Sequence, residues 1–298
     1  MRRSIELMLA ATVAAMVGCA APEPADTTDE SGDDLAADRV GGAVDPLRLP
    51  TTIVTFENQN GWGNHHIEWH TERRWDLLDS SSVAWAKRQG WIRATLQEGT
   101  AGNGLEFLAM HRVMIRQLRE QFPKSVALFV GWETPPTDPK DKADPLPHGA
   151  TDPFDDHMLD AISTLETKLA GFKSDDDLGR YLETALRPTA SNASARATDL
   201  AAGLHNYIHN RFSDSSSAID IGDPTVNLAN KRFWRLHGWI DATWTKFRAA
   251  KGLTESDPAY QAALQAAAMH LAHSSALKAT AGAPDPIPDS IRHPWAND

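Results

Sequence analysis

Histidines stand inside the apolar stripes of several helices predicted from this sequence. Apolar residues recur at helical spacing over 230–250, with His237 at the centre of the apolar face. In LHNYIHNRF, His205 and His209 are four residues apart, so on a helix both rings project from adjacent turns of one face. Desolvation favours the neutral imidazole, which is the form that ligates transition metals. The pattern predicts a three-histidine metal site, with hydrogen-bonded core histidines as the alternative.

The rest of the folded chain also has mostly helical periodicity. A helix at 105–122 carries His111 in the middle of its apolar stripe, and Pro123 closes it. The apolar run 125–132 is consistent with a short strand, and 135–156 is a proline- and aspartate-rich loop. Further helices are predicted at 82–97, 155–172, 175–186, 195–212 and 257–278. The fold class is therefore mainly α, with long irregular loops.

The beginning of the chain is typical of an export signal. Arg2 and Arg3 precede an apolar run over 7–17, which is too short to span a bilayer. The run ends in Met-Val-Gly-Cys19, which resembles the lipobox of bacterial lipoproteins; an ordinary signal peptide with an incidental cysteine is the alternative. We expect a signal peptide at 1–18, an acidic tether at 19–45 that starts from lipidated Cys19, and one folded domain at 46–298. The protein would then be a membrane-anchored, extracytoplasmic lipoprotein of the bacterial cell envelope.

Charge and cysteine content exclude several classes of partner and site. The formal net charge of −11 offers no basic surface for phosphates, so we expect no nucleic-acid partner. The single cysteine excludes an internal disulfide framework and a metal site built on several thiolates. Any metal must be held by histidines and carboxylates.

The histidine segments also resemble a known motif. LHNYIHNRF, then Asp-Pro at 223–224 and FWRLHGWIDATWTKF, resemble the second copper-binding motif of the tyrosinase, hemocyanin and catechol oxidase family. The resemblance implies four core helices around the metal and places His205, His209 and His237 on copper ligands. Asn206 and Asp241 match residues beside those ligands. We expect Asp241 either to orient a neighbouring group or to form a local salt bridge, with Arg235 or Lys246 as partner.

The first copper motif of that family is matched only in part. FLAMHR at 107–112 resembles its last element and places His111 on a ligand, but Gly102 stands where a second ligand is expected. The predicted helix 82–97 holds no histidine. His65, His66 and His70 lie about forty residues upstream of His111, and His66 and His70 are again four apart. They either complete a second metal site or pack elsewhere in a tryptophan-rich stretch.

The resemblance implies a copper-dependent oxidoreductase that oxidises phenolic or related aromatic substrates with dioxygen. It would bind one copper ion at a mononuclear centre or two at an atypical binuclear centre. The alternative is a non-catalytic metal-binding or structural lipoprotein that keeps the tyrosinase-like fold. The remaining histidines have weaker patterns: His270 and His273 are expected on the solvent side of the last helix.

Overall fold

The computed structural model describes residues 39–40, 43–183, 203–277 and 286–294. The described chain is mainly helical, as the periodicity predicts, and its two strands are a two-residue antiparallel pair, β1 (Arg39–Val40) and β2 (Ala43–Val44). The predicted signal peptide, Cys19 and most of the acidic tether lie outside the described residues. None of the described helices is both long and apolar enough to cross a membrane.

Ten α-helices and several short 3-10 turns make up the described fold. The helices are α1 (Thr51–Gln59), α2 (Trp62–Arg73), α3 (Ser80–Arg88), α4 (Asn103–Gln121), α5 (Asp156–Thr167), α6 (Asp175–Glu183), α7 (Leu204–Arg211), α8 (Lys231–Ala250), α9 (Pro258–Leu277) and α10 (Asp289–Arg292). The 3-10 turns are Trp75–Leu77, Pro123–Phe129, Pro147–Gly149, Leu169–Gly171 and Asn227–Ala229.

Helix α4 lies at the centre of the fold, since it packs against α6, α8 and α9. Helix α2 lies against α9, and α7 lies against α6 and α8. Helix α2 is buried almost all round, because polar residues such as His65 and His66 are covered along with its apolar ones. A helix without a solvent face belongs to the interior of a protein. The buried histidines lie in this interior, on α2, α4, α7 and α8.

The helix ends follow ordinary capping chemistry. Asp79 accepts a hydrogen bond from the Ser82 amide at the start of α3, and Asn230 caps α8 by accepting one from the Arg232 amide. The predicted helix over 230–250 thus begins one residue after its cap. Pro123 follows the end of α4 at Gln121, as predicted, because proline lacks the amide that would continue the helix.

Two sequence-based elements were wrong. The predicted helix 82–97 ends at Arg88, because Gly90 takes a left-handed conformation at φ 83° and Trp91 turns back onto Trp85. The run 125–132 is not a strand: it belongs largely to the 3-10 segment Pro123–Phe129, whose last residue is fully buried. An apolar run of this length suits a buried turn as well as a strand, and periodicity does not separate the two.

Two further predicted helices have different boundaries in the structure. The predicted helix 155–172 breaks after Thr167 into the 3-10 turn Leu169–Gly171. Within the described residues, the helix predicted at 195–212 begins only at Leu204, since Gly203 is left-handed with φ 84°. The earlier part of that prediction falls on 184–202, outside the described residues. Helices α1 and α2 were not delimited in the sequence analysis.

A close backbone approach holds α8 in place next to His237. Gly131 follows the 3-10 segment with φ 92° and meets Gly238 on α8. A Cβ atom on Gly238 would lie 2.5 Å from the backbone nitrogen of Gly131, closer than real Cβ contacts allow. Only glycine at both positions permits this contact. His237, the residue before Gly238, is fully buried next to this contact.

Candidate metal centre

Six buried histidines from four helices meet in the interior. Each has no more than 2% of its surface exposed. They are His66 and His70 on α2, His111 on α4, His205 and His209 on α7, and His237 on α8. All six were predicted as definite or possible metal ligands. The tertiary structure thus brings the upstream pair to the downstream motif.

Five of the six rings form two overlapping groups, and the sixth, His209, lies beside them. The ligating nitrogens of His66, His70 and His111 lie within 4.8 Å of one another, as do those of His111, His205 and His237. His111 belongs to both groups, and its ring stacks on that of His237 with centroids 4.0 Å apart. The His209 ring lies 4.5 Å from that of His205, centroid to centroid. These buried groups can hold metal ions.

Backbone and amide oxygens orient the rings through their Nδ1 atoms. His111 Nδ1 lies 3.0 Å from the Phe107 carbonyl, His209 Nδ1 2.6 Å from the Ile221 carbonyl, and His237 Nδ1 2.7 Å from the Phe233 carbonyl. A carbonyl only accepts, so each Nδ1 carries the proton and each Nε2 presents a lone pair. Metal-ligating histidines are typically oriented in this way.

Asn206 performs the same task for His205. Its side-chain oxygen lies 2.8 Å from His205 Nδ1, on the turn that begins α7. The amide oxygen accepts a hydrogen bond from Nδ1, so Nε2 of His205 is left to face the cluster.

The Nε2 lone pairs of His205 and His237 point towards each other. Their Nε2 atoms are 3.1 Å apart, and both rings already donate from Nδ1. Two imidazole lone pairs at this distance repel unless a cation or a proton lies between them. In addition, the Nε2 atoms of His66 and His111 are buried and make no hydrogen bond to the described residues. A structural histidine is normally satisfied, so this donor set fits a bound metal ion better than a packed core.

Burial lowers the pKa of every histidine in the cluster. For His66 the pKa falls to about 3 through desolvation. The pKa values of His70, His111, His205, His209 and His237 also fall well below the usual 6.5, first through desolvation and then through repulsion by neighbouring rings. The rings are therefore neutral at pH 7, as metal ligation requires.

We expect the metal-free protein to lose stability steeply below pH 6.5. The unfolded chain binds protons on these histidines near pH 6.5, whereas the folded chain does not, so the free energy of unfolding falls as the pH falls. For His66 alone, the loss between pH 6.5 and 5 is on the order of 2 kcal/mol. Denaturant titrations of metal-free protein at pH 7, 6 and 5 measure this. Equal stability at the three values would contradict the burial of neutral rings, and a variant at exposed His273 should leave the profile unchanged.

Asp241 lies near the cluster but does not point to either predicted salt-bridge partner. It pairs with Arg112, whose Nε lies 2.5 Å from Asp241 Oδ1, and more distantly with Arg119. The predicted partners Arg235 and Lys246 were wrong, because Asp241 lies on the side of α8 that packs against α4. Arg235 pairs instead with Asp144. Asp241 thus links the helix of His237 to the helix of His111.

Arg112 is the centre of this link. Its guanidinium also donates to the Asp241 carbonyl, the Thr245 hydroxyl and the Tyr260 hydroxyl. It stacks over the Trp244 ring at 3.8 Å from the centroid. The contacts to Asp241, Thr245 and Trp244 join α4 to α8, and the contact to Tyr260 joins α4 to α9, one residue away from His111.

The remaining predicted histidines separate into two environments. His65 is fully buried beside His66 but faces α9, where its ring meets that of His270. The prediction that His270 faces solvent was wrong, since the ring is half-buried against α2; His273 is exposed as expected. Helix α9 is only weakly amphipathic, because alanines are spread around it. The periodicity of its sequence therefore does not indicate which side is buried.

Comparisons with known proteins identify no relative. No protein-family model, no curated protein and no solved structure matches the chain. The part of the chain that the structure describes holds two overlapping, buried three-histidine groups that can bind metal ions, and these groups are the candidate functional site.

Proposed function

We propose that this protein is a copper-dependent oxidoreductase of the tyrosinase-like class, with copper held by the six-histidine cluster. The observation that carries the proposal is the pair of overlapping histidine groups, in which the Nε2 lone pairs of His205 and His237 oppose each other at 3.1 Å. If His111 serves the ion held by His66 and His70, His209 beside His205 would be the third nitrogen for the second ion. Six imidazoles would then supply three nitrogens for each of two ions, which leaves coordination positions open for a small ligand.

The donor set favours copper over other metals. It contains neutral imidazole nitrogens without thiolates, and such ligands suit copper, zinc, iron and nickel. Among divalent first-row ions, a nitrogen site generally binds copper most tightly. Bound copper supplies one-electron steps and activation of dioxygen. The cluster also agrees with the resemblance of 205–209 and 233–244 to the family's second copper motif, and His66 and His70 take the place of the ligands missing near Gly102.

The chain's own residues have defined tasks in this proposal. The Phe107, Ile221 and Phe233 carbonyls and the Asn206 amide fix the ring tautomers. The Phe233 ring stacks on His237 at 3.9 Å and the Phe107 ring packs edge-on against His111, so apolar surface surrounds the nitrogens and excludes water. A dry site strengthens the electrostatic interactions within it.

A second candidate function follows from the complete burial of the cluster. With every ligand at most 2% exposed, dioxygen is small enough to reach the ions, whereas a phenol would contact them only after side chains move. This burial favours a non-catalytic metal-binding lipoprotein as the alternative. In either case, the proposed location is the bacterial cell envelope, through the lipid on Cys19.

Metal content and oxygen consumption test the proposal together. The metal-free protein is loaded with copper, freed of excess ion, and assayed for copper per chain, for paramagnetic copper per total copper, and for oxygen uptake with a catechol. We expect two coppers per chain and turnover above that of free copper. Two coppers with no turnover would favour the metal-binding alternative. One copper that is fully paramagnetic would indicate a mononuclear centre, and no bound copper would overturn the proposal.

A further inference from the structure

A second histidine pair lies on the outer side of α2, away from the six-histidine cluster. Consecutive residues on an α-helix project about 100° apart, so His65 faces α9 while His66 faces the cluster. His65 Nδ1 lies 3.0 Å from His270 Nδ1 on α9. His65 is fully buried, and the side chain of His270 is 23% exposed. The pair therefore connects the interior to the surface.

Glu72 determines which nitrogen of His270 faces His65. Its Oε2 lies 3.5 Å from His270 Nε2, and a carboxylate only accepts, so Nε2 carries the proton and donates the hydrogen bond. His270 Nδ1 then presents its lone pair to His65. A carboxylate behind a histidine is the usual support of a metal ligand, since it fixes the tautomer and raises the basicity of the ring.

Glu72 is itself held in position. Its other oxygen, Oε1, accepts a hydrogen bond from the Ile92 amide at 3.0 Å. Burial lowers the pKa of His65, followed by repulsion from His270, His66 and Arg73, and the Arg73 guanidinium is paired with Glu106 at 2.9 Å. The local charge therefore does not oppose a bound cation strongly.

His65 differs from His111 and His237 in what its Nδ1 atom faces. Those two rings face backbone carbonyls, whereas His65 Nδ1 faces His270 Nδ1 in a hydrogen bond that a bound ion would replace. The buried Nε2 of His65 makes no hydrogen bond to the described residues. Buried ring nitrogens are normally paired. The ring is instead directed at His270, where two nitrogens 3.0 Å apart match a cis pair of ligands on one ion, each at about 2.0–2.1 Å.

We propose that His65 and His270 form an additional metal site that takes a divalent transition ion, with Glu72 as the positioning residue behind His270. Two imidazoles and water at a partly exposed position suit borderline ions such as Zn²⁺ and Cu²⁺. This site is separate from the buried cluster and does not depend on the proposed oxidoreductase function.

Zinc titration of the metal-free full chain tests the site. Zn²⁺ binding is measured by equilibrium dialysis for the unmodified protein, His270→Ala, His273→Ala and His237→Ala. The exposed His273 is the matched control on the same helix. We expect His270→Ala to bind one Zn²⁺ fewer than the unmodified protein and His273→Ala to bind the same number. The variant His237→Ala should lose Zn²⁺ from the buried cluster while retaining the equivalent that depends on His270.

Glu72→Gln provides a second variant that keeps the acceptor for the Ile92 amide. We expect it to weaken the His270-dependent Zn²⁺ by about 10–100-fold, the usual effect of losing an outer-shell carboxylate. Equal Zn²⁺ stoichiometry in His270→Ala and the unmodified protein would overturn the proposal, as would an equal loss in His273→Ala. Failure of the buried cluster to bind copper leaves these outcomes unaffected, so the two proposals fail separately.

Discussion

Replacing His237 by alanine is expected to abolish binding of the proposed metal ion between α7 and α8, and with it any oxidase activity. The Nε2 atom of His237 faces that of His205 at 3.1 Å, and its ring stacks on His111, which belongs to both histidine groups. Loss of an outer-shell partner typically weakens metal binding by 10–100-fold. Loss of the ligand itself should weaken metal binding by more than about 100-fold. Competition with a chelator of known affinity measures this change.

The metal should also lose its stabilising effect on folding in this variant. A ligand present at about 1,000 times its dissociation constant stabilises the native state by about 4 kcal/mol, so copper should raise the unfolding temperature of the unmodified protein but not of His237→Ala. His273→Ala, at an exposed position, should behave like the unmodified protein. Unchanged copper content in His237→Ala would contradict the assignment of this ligand.

Replacing Arg112 by methionine is expected to destabilise the fold by about 3 kcal/mol. The substitution leaves the carboxylate of Asp241 nearly buried without its main partner, and it removes the donors to Thr245 and Tyr260. Breaking one side of a buried ion pair costs 3–5 kcal/mol in general, and the remaining Arg119 at 3.7 Å places this case at about the lower end. Denaturant unfolding of the metal-free protein measures the change.

Arg116→Met is the matched control for this prediction. Arg116 lies one turn later on α4 and pairs with Glu255, but both side chains are substantially exposed. Exposed ion pairs contribute about 0.2–1 kcal/mol, so the two variants should differ clearly in stability. Similar free energies of unfolding for Arg112→Met and Arg116→Met would show that Asp241 does not depend on Arg112.

Several helices could be predicted because their signals are local. Asn230 followed by a long amphipathic run predicts α8 almost to the residue, and Pro123 marks the end of α4. The 82–97 helix and the 125–132 strand were wrong because their outcome depends on distant contacts. Trp91 turns back onto Trp85, and the carbonyl of buried Phe129 accepts a hydrogen bond from Arg119.

The contact partners of individual polar residues were harder to predict from the sequence than the helices were. Asp241 has plausible charged neighbours on its own helix, yet it contacts Arg112 from α4. His270 stands on an alanine-rich helix whose weak amphipathicity does not indicate its buried side. In both cases the partner lies more than a hundred residues away in the chain. Local spacing contains no information about which helices pack together.

The sequence by itself determined the mainly helical fold and the histidines that share a helix face, because helical spacing places His205 near His209 and His66 near His70 wherever the helix packs. Only the tertiary structure decided that these pairs meet each other, that His111 joins both groups, and that His65 turns away to His270. The physical reason is that the packing of α2, α4, α7 and α8 sets distances between helices, whereas the sequence pattern sets only the direction in which each side chain leaves its own helix.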